Sequence, residues 1–148
     1  MTDPTAAGDY ASAESENLDS LYEPKDWLLD GLIQIMSGDD SAMSLTIQSA
    51  GATITGTLIS RNQYFSRLSE QMGDSGSPEM KDVIELWRTE MMAGDARDSE
   101  RRANGGGLRS FHCIHMRDVK IMSGGTTLNA PLWRGTTEDI TGWTLGNF

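Results

Sequence analysis

One long strand-like segment, residues 111–122, contains a break in its own alternation of apolar side chains. Ile114 and Met116 lie two residues apart and share one face, whereas Val119 resumes the apolar pattern at an odd-numbered position. Because a shift of one residue moves every later side chain to the opposite face, the strand must change phase near residues 117–118. A β-bulge or a sharp corner produces such a change. The sequence therefore predicts a strongly bent sheet.

A second segment, residues 53–59, also predicts a bend. It is rich in β-branched residues, and Gly56 lies between Ile54 and Leu58, which point to one face. A glycine inside a strand often marks a bend or a close backbone approach, and bent strands allow a small sheet to close toward a barrel. The remaining strand candidates are residues 45–47, 132–135 and 140–145.

Helical spacing of apolar residues appears in three segments, residues 28–36, 61–72 and 78–91. The third begins with Ser77 and Pro78, a pair typical of a helix start. Its apolar stripe either packs against the sheet or presents an adaptable, methionine-rich face to a partner. The stripe consists of Met80, Val83, Ile84, Trp87 and Met91. Together these elements predict an α+β fold: a small, strongly bent antiparallel β-sheet or half-open barrel, Sm-like or SH3-like, with two to three packed helices.

The charge distribution divides the chain into a tail and a domain. The net charge is −10, and the first 26 residues hold seven acids and one base. Residues 1–22 contain too little apolar surface to offset the entropy of ordering, so they are expected to form a disordered acidic tail that serves solubility or docking. Residues 23–148 are expected to form a single α+β domain, with a flexible loop at about 94–108 where the chain is polar and then glycine-rich.

Composition argues against several classes of protein. The chain of 148 residues contains one Cys, which rules out an intramolecular disulfide and a multi-cysteine metal site. No apolar run approaches the ~20 residues that span a bilayer, and the acidic start is unlike a signal peptide. These features predict a soluble, cytoplasmic protein without a metal or cofactor.

The candidate catalytic motifs do not assemble into a site. Residues 73–78, Gly-Asp-Ser-Gly-Ser-Pro, are close to the nucleophile signature of trypsin-like proteases, but both histidines follow Ser75, which is the wrong order for that triad. His112 and His115 lie three residues apart on a strand and so point to opposite faces. Cys113 shares a face with His115, but two ligands are too few for a metal, and nothing orients a Cys–His pair for nucleophilic attack. The chain is not expected to be an enzyme.

Two blocks of sequence resemble one family. The first joins a glycine-containing hairpin to a Tyr-Phe-x-x-Leu-Ser-Glu helix, and the second joins a Phe-x-x-His strand to Trp-Arg-Gly and Gly-Trp-x-Leu-Gly elements. These blocks are residues 44–60 with 64–70, and residues 111–121 with 132–135 and 140–146. Together they resemble the gas vesicle accessory protein U (GvpU-like) family, whereas the acidic start and residues 72–107 do not match closely.

The resemblance implies a cytoplasmic, non-enzymatic accessory protein of gas vesicles, the hollow protein shells that give cells buoyancy. It implies protein–protein contacts with the shell protein and other accessory proteins, possible self-association as a homo-oligomer, and a role in assembly, stability or organisation, including clustering. The chain is too polar to be a shell subunit itself. Two alternatives stay open: an Sm-like RNA-binding oligomer, which the acidic net charge disfavours, and a holdase-type chaperone for hydrophobic shell subunits.

Residue type selects the interface candidates, because Trp and Arg dominate interface hot spots and methionines adapt to varied partners. In the competing interpretation, the two C-terminal tryptophans belong to the core and the arginine pairs with Asp118 or Glu138. The candidates are Trp133, Arg134, Trp143, Trp87, Met80 and Met91.

Overall fold

Helices and strands are mixed along the chain. The computed structural model describes residues 26–37, 41–106 and 111–148. The predicted acidic tail at 1–22 lies outside the described residues. The elements, in chain order, are α1 (Trp27–Met36), β1 (Met43–Ser49), β2 (Ala52–Ile59), α2 (Arg61–Asp74), α3 (Pro78–Ala103), β3 (Cys113–Ser123), β4 (Thr126–Thr136), a 3-10 turn (Thr137–Asp139) and β5 (Ile140–Leu145).

The helices begin where the local chemistry favours a start. The carboxylate of Asp26 accepts a hydrogen bond from the backbone N–H of Leu29, which caps α1, and the hydroxyl of Ser60 does the same for Gln63 at the start of α2. Pro78 occupies the first turn of α3, where backbone N–H groups have no acceptor within the helix, so the missing N–H of proline costs no hydrogen bond. All three predicted helices are therefore present, with α3 longer than predicted.

The five strands form one antiparallel sheet in the order β4-β3-β2-β1-β5. The sheet is bent and does not close, because β4 and β5 do not pair with each other within the described residues. Covering helices lie on both of its faces. The predicted α+β class with a bent, half-open antiparallel sheet is confirmed.

The bend lies at the phase change that the sequence predicted. The pairing of β2 with β3 shifts between Thr55 and Thr57, where β3 carries one extra residue. Asp118 has a left-handed φ of 51° at this β-bulge. A Cβ on Gly56 would lie only 2.9 Å from the carbonyl oxygen of Arg117, so the close backbone approach requires glycine.

The hydrophobic core lies between α1 and one face of the sheet. Leu29, Ile33 and Met36 project from α1 at helical spacing and are buried. They pack on alternate residues of the strands, because side chains two positions apart share a face. The buried strand residues of this cluster are Leu45, Ile47, Ile54, Leu58, Ile114, Met116 and Val119.

The opposite face of the sheet is covered in two places. Towards one end, α2 places Tyr64 and Phe65 against His115 of β3. Elsewhere, residues 146–148 fold back over β1 and β2, where the hydroxyls of Thr46 and Thr55 donate to the backbone oxygen of residue 146 and the side-chain oxygen of residue 147. The two threonine hydroxyl oxygens lie 2.8 Å apart. Polar side chains on this face are therefore paired rather than left facing solvent.

The predicted loop at 94–108 is wrong for residues 94–103, which form the last part of α3. Residues 107–108 lie outside the described residues. Asp98 explains the difference, because its carboxylate pairs with Arg101 and Arg102, three and four residues further along the helix. A tertiary ion pair between Arg61 of α2 and Asp95 of α3 adds to this. Charge pairing thus supports the helix where apolar residues are lacking.

Candidate protein-interaction surfaces

Most of the apolar stripe of α3 faces solvent. Met80 is 45% exposed and Trp87 is 48% exposed, while Ile84 is only 3% exposed. The reason is that α3 packs chiefly against α2 and not on the sheet. The predicted packing of the stripe against the sheet is therefore wrong: Ile84 is buried, Met91 is half-buried, and Met80, Val83 and Trp87 are exposed.

Three of the six predicted interface residues lie on one side of the α2–α3 pair. Trp87 and Met91, together with Glu90, border a shallow concavity of about 340 Å³ whose floor is Phe65. Met80 lies seven residues before Trp87 and so on the same side of the helix. The guanidinium of Arg134 stands 6.0 Å from the ring centroid of Phe65 and also lines a second, larger cavity. We call Phe65, Met80, Trp87, Met91 and Arg134 the Trp87 patch.

Arg134 belongs to this patch and not to an ion pair of the sheet. Within the described part of the chain it pairs neither with Asp118 nor with Glu138, the two partners that the sequence suggested. Asp118 instead bonds its neighbour Arg117. His115 of β3 pairs with Arg134 of β4, so the side chain of Arg134 projects from the face of the sheet that α2 covers. Its guanidinium thereby lies near the buried ring of Phe65.

Trp133 points to the other face of the sheet and packs against the core. Its indole lies over Gly135, two residues further along the same face, where an added Cβ would lie 2.7 Å from Cζ2 of the ring. The spacing of the Trp-Arg-Gly element therefore has a packing reason: the glycine makes room for the tryptophan ring. As an interface residue, Trp133 remains a prediction.

Trp143 connects β5 to the start of α1. It packs against the core, and its indole Nε1 donates a hydrogen bond of 2.6 Å to Oδ2 of Asp26. The other carboxylate oxygen of Asp26 caps α1 through Leu29. One carboxylate therefore fixes the helix start and the last strand together. The interface role of Trp143 also remains a prediction.

We expect Asp26→Ala to lower the free energy of unfolding by about 1–2 kcal/mol, because it removes a helix cap and a charged hydrogen bond together. Asp26→Asn is the matched control, since it keeps a side-chain oxygen for the cap and should cost less than half as much. Urea unfolding of both variants measures the difference. Equal losses in the two variants would contradict this account of the Asp26 contacts.

His115 is a buried residue that packs against aromatic side chains of α2. It is 4% exposed, and its ring lies 4.8 Å from that of Tyr64. Burial, together with the nearby Arg134 and Arg61, lowers the pKa of His115 to about 3. Its Nε2 has no hydrogen-bond partner in the described structure. Within the described ranges, no group of three or more His, Cys, Asp or Glu residues could hold a metal ion.

A larger cavity of about 520 Å³ lies between α1, α2, the end of α3 and the start of β3. Sequence reasoning missed it because it treated residues 94–103 as loop. The charged side chains that line it include the ion-paired Arg61, Asp95, Asp98 and Arg102. The alternating charges at i, i+3 and i+4 between Asp95 and Arg102 were the available signal. Arg134 also lines this cavity, so three arginines face two aspartates and the charged side chains of the wall carry a net positive charge.

Comparison with known proteins decides the family. The model of the family described as "Gas vesicle protein GvpU-like" matches residues 26–148. The chain belongs to the GvpU-like family of gas vesicle proteins. The match spans both sequence blocks that carry the resemblance and also covers α3, which lies between them. No curated protein and no solved structure matches the chain.

Membership of the GvpU-like family identifies a gas vesicle-related protein. In the part of the chain that the structure describes, no helix has both the length and the apolar character needed to cross a membrane. Large apolar side chains are exposed on α1, α3, β4 and β5. Among them, the Trp87 patch is the group that holds most of the predicted contact residues.

Proposed function

We propose that this chain is a cytoplasmic, non-enzymatic accessory protein that assists the assembly, stability or organisation of gas vesicles through direct protein–protein contacts. The observation that carries the proposal is the Trp87 patch, in which an exposed tryptophan and a methionine border a concavity over Phe65, and an arginine approaches the same ring. Such combinations dominate the energetics of protein interfaces. The family match supports the gas vesicle setting.

A shell protein or another gas vesicle accessory protein is the partner that the patch suits best. The exposed side chains are large and apolar, so they gain most from a partner that also offers apolar surface. Methionine side chains adapt to irregular surfaces because they are unbranched and flexible. The net charge of −10 opposes the RNA-binding alternative, because phosphate binding depends on Lys and Arg.

The proposal of a non-enzymatic role rests on the state of the groups that could do chemistry. His115 is neutral and buried at neutral pH, which does not suit proton transfer there. The lone Cys113 is half-buried in the sheet. The carboxylates of Asp95 and Asp98 are occupied by arginines. These groups are buried or ion-paired, so the proposal assigns the function to the exposed apolar surface instead.

We expect Trp87→Ala to weaken binding of the purified protein to isolated gas vesicles by about tenfold, because truncation of a central interface tryptophan costs on the order of 1–2 kcal/mol. Binding is measured by co-flotation: the protein is mixed with vesicles, the vesicles are floated by centrifugation, and the buoyant layer is assayed over a concentration series. The wild-type chain should bind saturably.

Leu128→Ala is the matched control for co-flotation. Leu128 is 62% exposed on β4, away from the patch, so its truncation should leave binding unchanged. If the wild-type chain stays below the floating layer, contact with finished shells is excluded as the function. Suppression of shell-subunit aggregation would then favour the holdase alternative. Equal losses for the two variants would refute the role of the Trp87 patch.

A further inference from the structure

The cavity between α1, α2, the end of α3 and the start of β3 is large enough for a small organic molecule. Its volume is about 520 Å³, and sites for small molecules usually enclose about 300–1,000 Å³. Serine, amide and arginine side chains line it together with the apolar side chains of Ile33, Ile59 and Phe111. An apolar wall with a few polar groups is the usual composition of such sites. We call this space the α1–β3 cavity.

Three neighbouring strands place one side chain each in the wall of the α1–β3 cavity. Ile59 pairs with His115, and His115 pairs with Arg134, so the three side chains project from the same face of the sheet. Arg61 follows two residues after Ile59, at the start of α2. Burial lowers the pKa of His115, and the charges of Arg134 and Arg61 lower it further. Two guanidinium groups therefore act on the same corner of the cavity.

The positive charge of Arg134 has no counter-charge in the described structure. Arg61 pairs with Asp95, and Arg102 pairs with Asp98. Within the described ranges, Arg134 forms no ion pair or hydrogen bond. Its side chain is exposed and also lines the cavity, so it lies at the opening. An unpaired cation at the opening attracts an anionic ligand and repels a cationic one.

We propose that the α1–β3 cavity binds a small organic anion whose oxyanion group, a carboxylate or a phosphate, contacts Arg134. A guanidinium matches both groups, because its planar fork donates two parallel hydrogen bonds. An inorganic ion alone would leave most of the volume unfilled. The rest of the ligand therefore contacts Ile33, Ile59 and Phe111, where removal of apolar surface from water adds to the affinity.

This inference goes beyond the proposed function because it concerns a ligand held between α1 and the sheet, and not a contact with another protein. Arg134 borders both the α1–β3 cavity and the Trp87 patch. Ligand binding is therefore measured on the isolated full chain, without gas vesicles. Co-flotation needs no ligand, so the failure of one proposal is distinguishable from the failure of the other.

The first test compares two fluorescent probes of nearly the same shape. Anilinonaphthalene sulfonate carries a negative charge, whereas phenylnaphthylamine has the same aromatic body without the sulfonate. We expect the wild-type chain to bind the anionic probe saturably and about tenfold more tightly than the neutral one, because a hydrogen bond to a charged group is among the stronger polar contacts. Fluorescence titration measures both dissociation constants.

Arg134→Gln should weaken binding of the anionic probe by about tenfold and leave binding of the neutral probe unchanged, because the cavity remains while its free charge is lost. Lys120→Gln is the matched control. Lys120 is exposed on β3 outside the cavity, so its replacement removes the same charge and should change neither constant. Equal binding of the two probes by the wild type overturns the proposal, and so does an Arg134→Gln variant that keeps the preference.

The single cysteine of the chain reports where the probe binds. Cys113 is half-buried and lines the α1–β3 cavity. Bound anionic probe at about 90% occupancy should slow alkylation of Cys113 by iodoacetamide about tenfold, because only the unoccupied fraction reacts. Alkylation at an unchanged rate would place the probe elsewhere, for example on the Trp87 patch, and would overturn the proposal.

Competition identifies the oxyanion group. Displacement of the anionic probe by sodium phosphate supports a phosphate-bearing ligand, and displacement by sodium acetate supports a carboxylate. Sodium chloride at the same ionic strength is the control for screening. Displacement by neither salt, or equally by sodium chloride, overturns the assignment of an oxyanion to Arg134.

Discussion

Replacing His115 by Phe is expected to reduce the loss of stability of this domain between pH 6.5 and pH 4.5, while leaving its stability at pH 7 unchanged or slightly higher. The ring of His115 packs between Tyr64 and Phe65, and its buried Nε2 lacks a described partner. A phenylalanine fits an aromatic environment and removes that unpaired nitrogen. The effect at low pH follows from the difference between the folded and unfolded pKa values.

The pKa of His115 is about 3 in the folded protein, against a model value of 6.5. Below pH 6.5 the unfolded chain takes up a proton at this residue while the folded chain does not. Stability is therefore lost as the pH falls from 6.5 towards 3, and no more is lost through this group below 3. Each pH unit costs up to about 1.4 kcal/mol, so about 2–3 kcal/mol is lost by pH 4.5.

Urea unfolding at pH 7, 5.5 and 4.5 measures this effect. The wild type should lose about 2–3 kcal/mol more than His115→Phe between pH 6.5 and pH 4.5. His112→Gln is the matched control, because His112 is exposed immediately before β3 and its replacement should leave the acid loss unchanged. If His115→Phe loses stability with the same slope as the wild type, burial of a neutral histidine is not the cause.

Replacing Gly56 by Ala should lower the free energy of unfolding by about 2–3 kcal/mol. The added Cβ would lie 2.9 Å from the carbonyl oxygen of Arg117, 3.0 Å from Cγ2 of Val119 and 3.2 Å from the carbonyl oxygen of Asp118. Two of these contacts are with backbone, which cannot rotate away as a side chain can. The bulge in β3 must therefore move, and β2 is a central strand with partners on both sides.

Gly31→Ala is expected to change the free energy of unfolding in the opposite direction. Gly31 lies inside α1, and a Cβ there meets nothing within 4 Å. Alanine is the better helix former by about 1 kcal/mol, so this variant should be slightly more stable than the wild type. Urea unfolding compares the two substitutions directly. A Gly56→Ala variant as stable as the wild type would show that β2 and the bulge of β3 are not tightly packed at Gly56.

The bend of the sheet was predictable because each of its sequence signals lies within a single strand. The phase change between Met116 and Val119 and the glycine at position 56 both follow from the period of two in a strand, and neither requires knowledge of distant residues. The same reasoning located α1 and α2, whose apolar residues recur at helical spacing. These features are local, so one sequence contains them.

The end of α3 was not predictable in this way. Residues 94–103 lack an apolar face, and their helix depends on ion pairs within the helix and on Arg61 of another element. The exposure of Trp87 was not predictable either, because apolar residues at helical spacing give the same sequence pattern whether they pack on a sheet or face solvent. His115 was hidden because β3 is covered on both faces, so alternation does not reveal which side is buried.

The pairing of β1 with β5 has a consequence for synthesis of the chain on the ribosome. Leu45 pairs with Leu145, and the hydroxyl of Thr46 bonds the backbone of Gly146, so contacts one hundred residues apart complete the sheet. Until residues 140–148 emerge, β1 has an edge without a neighbour, which can pair with another nascent chain. Contacts of such long range also slow folding. The speed of translation between the codons for β1 and those for β5 is therefore expected to influence how much of the protein reaches the native state.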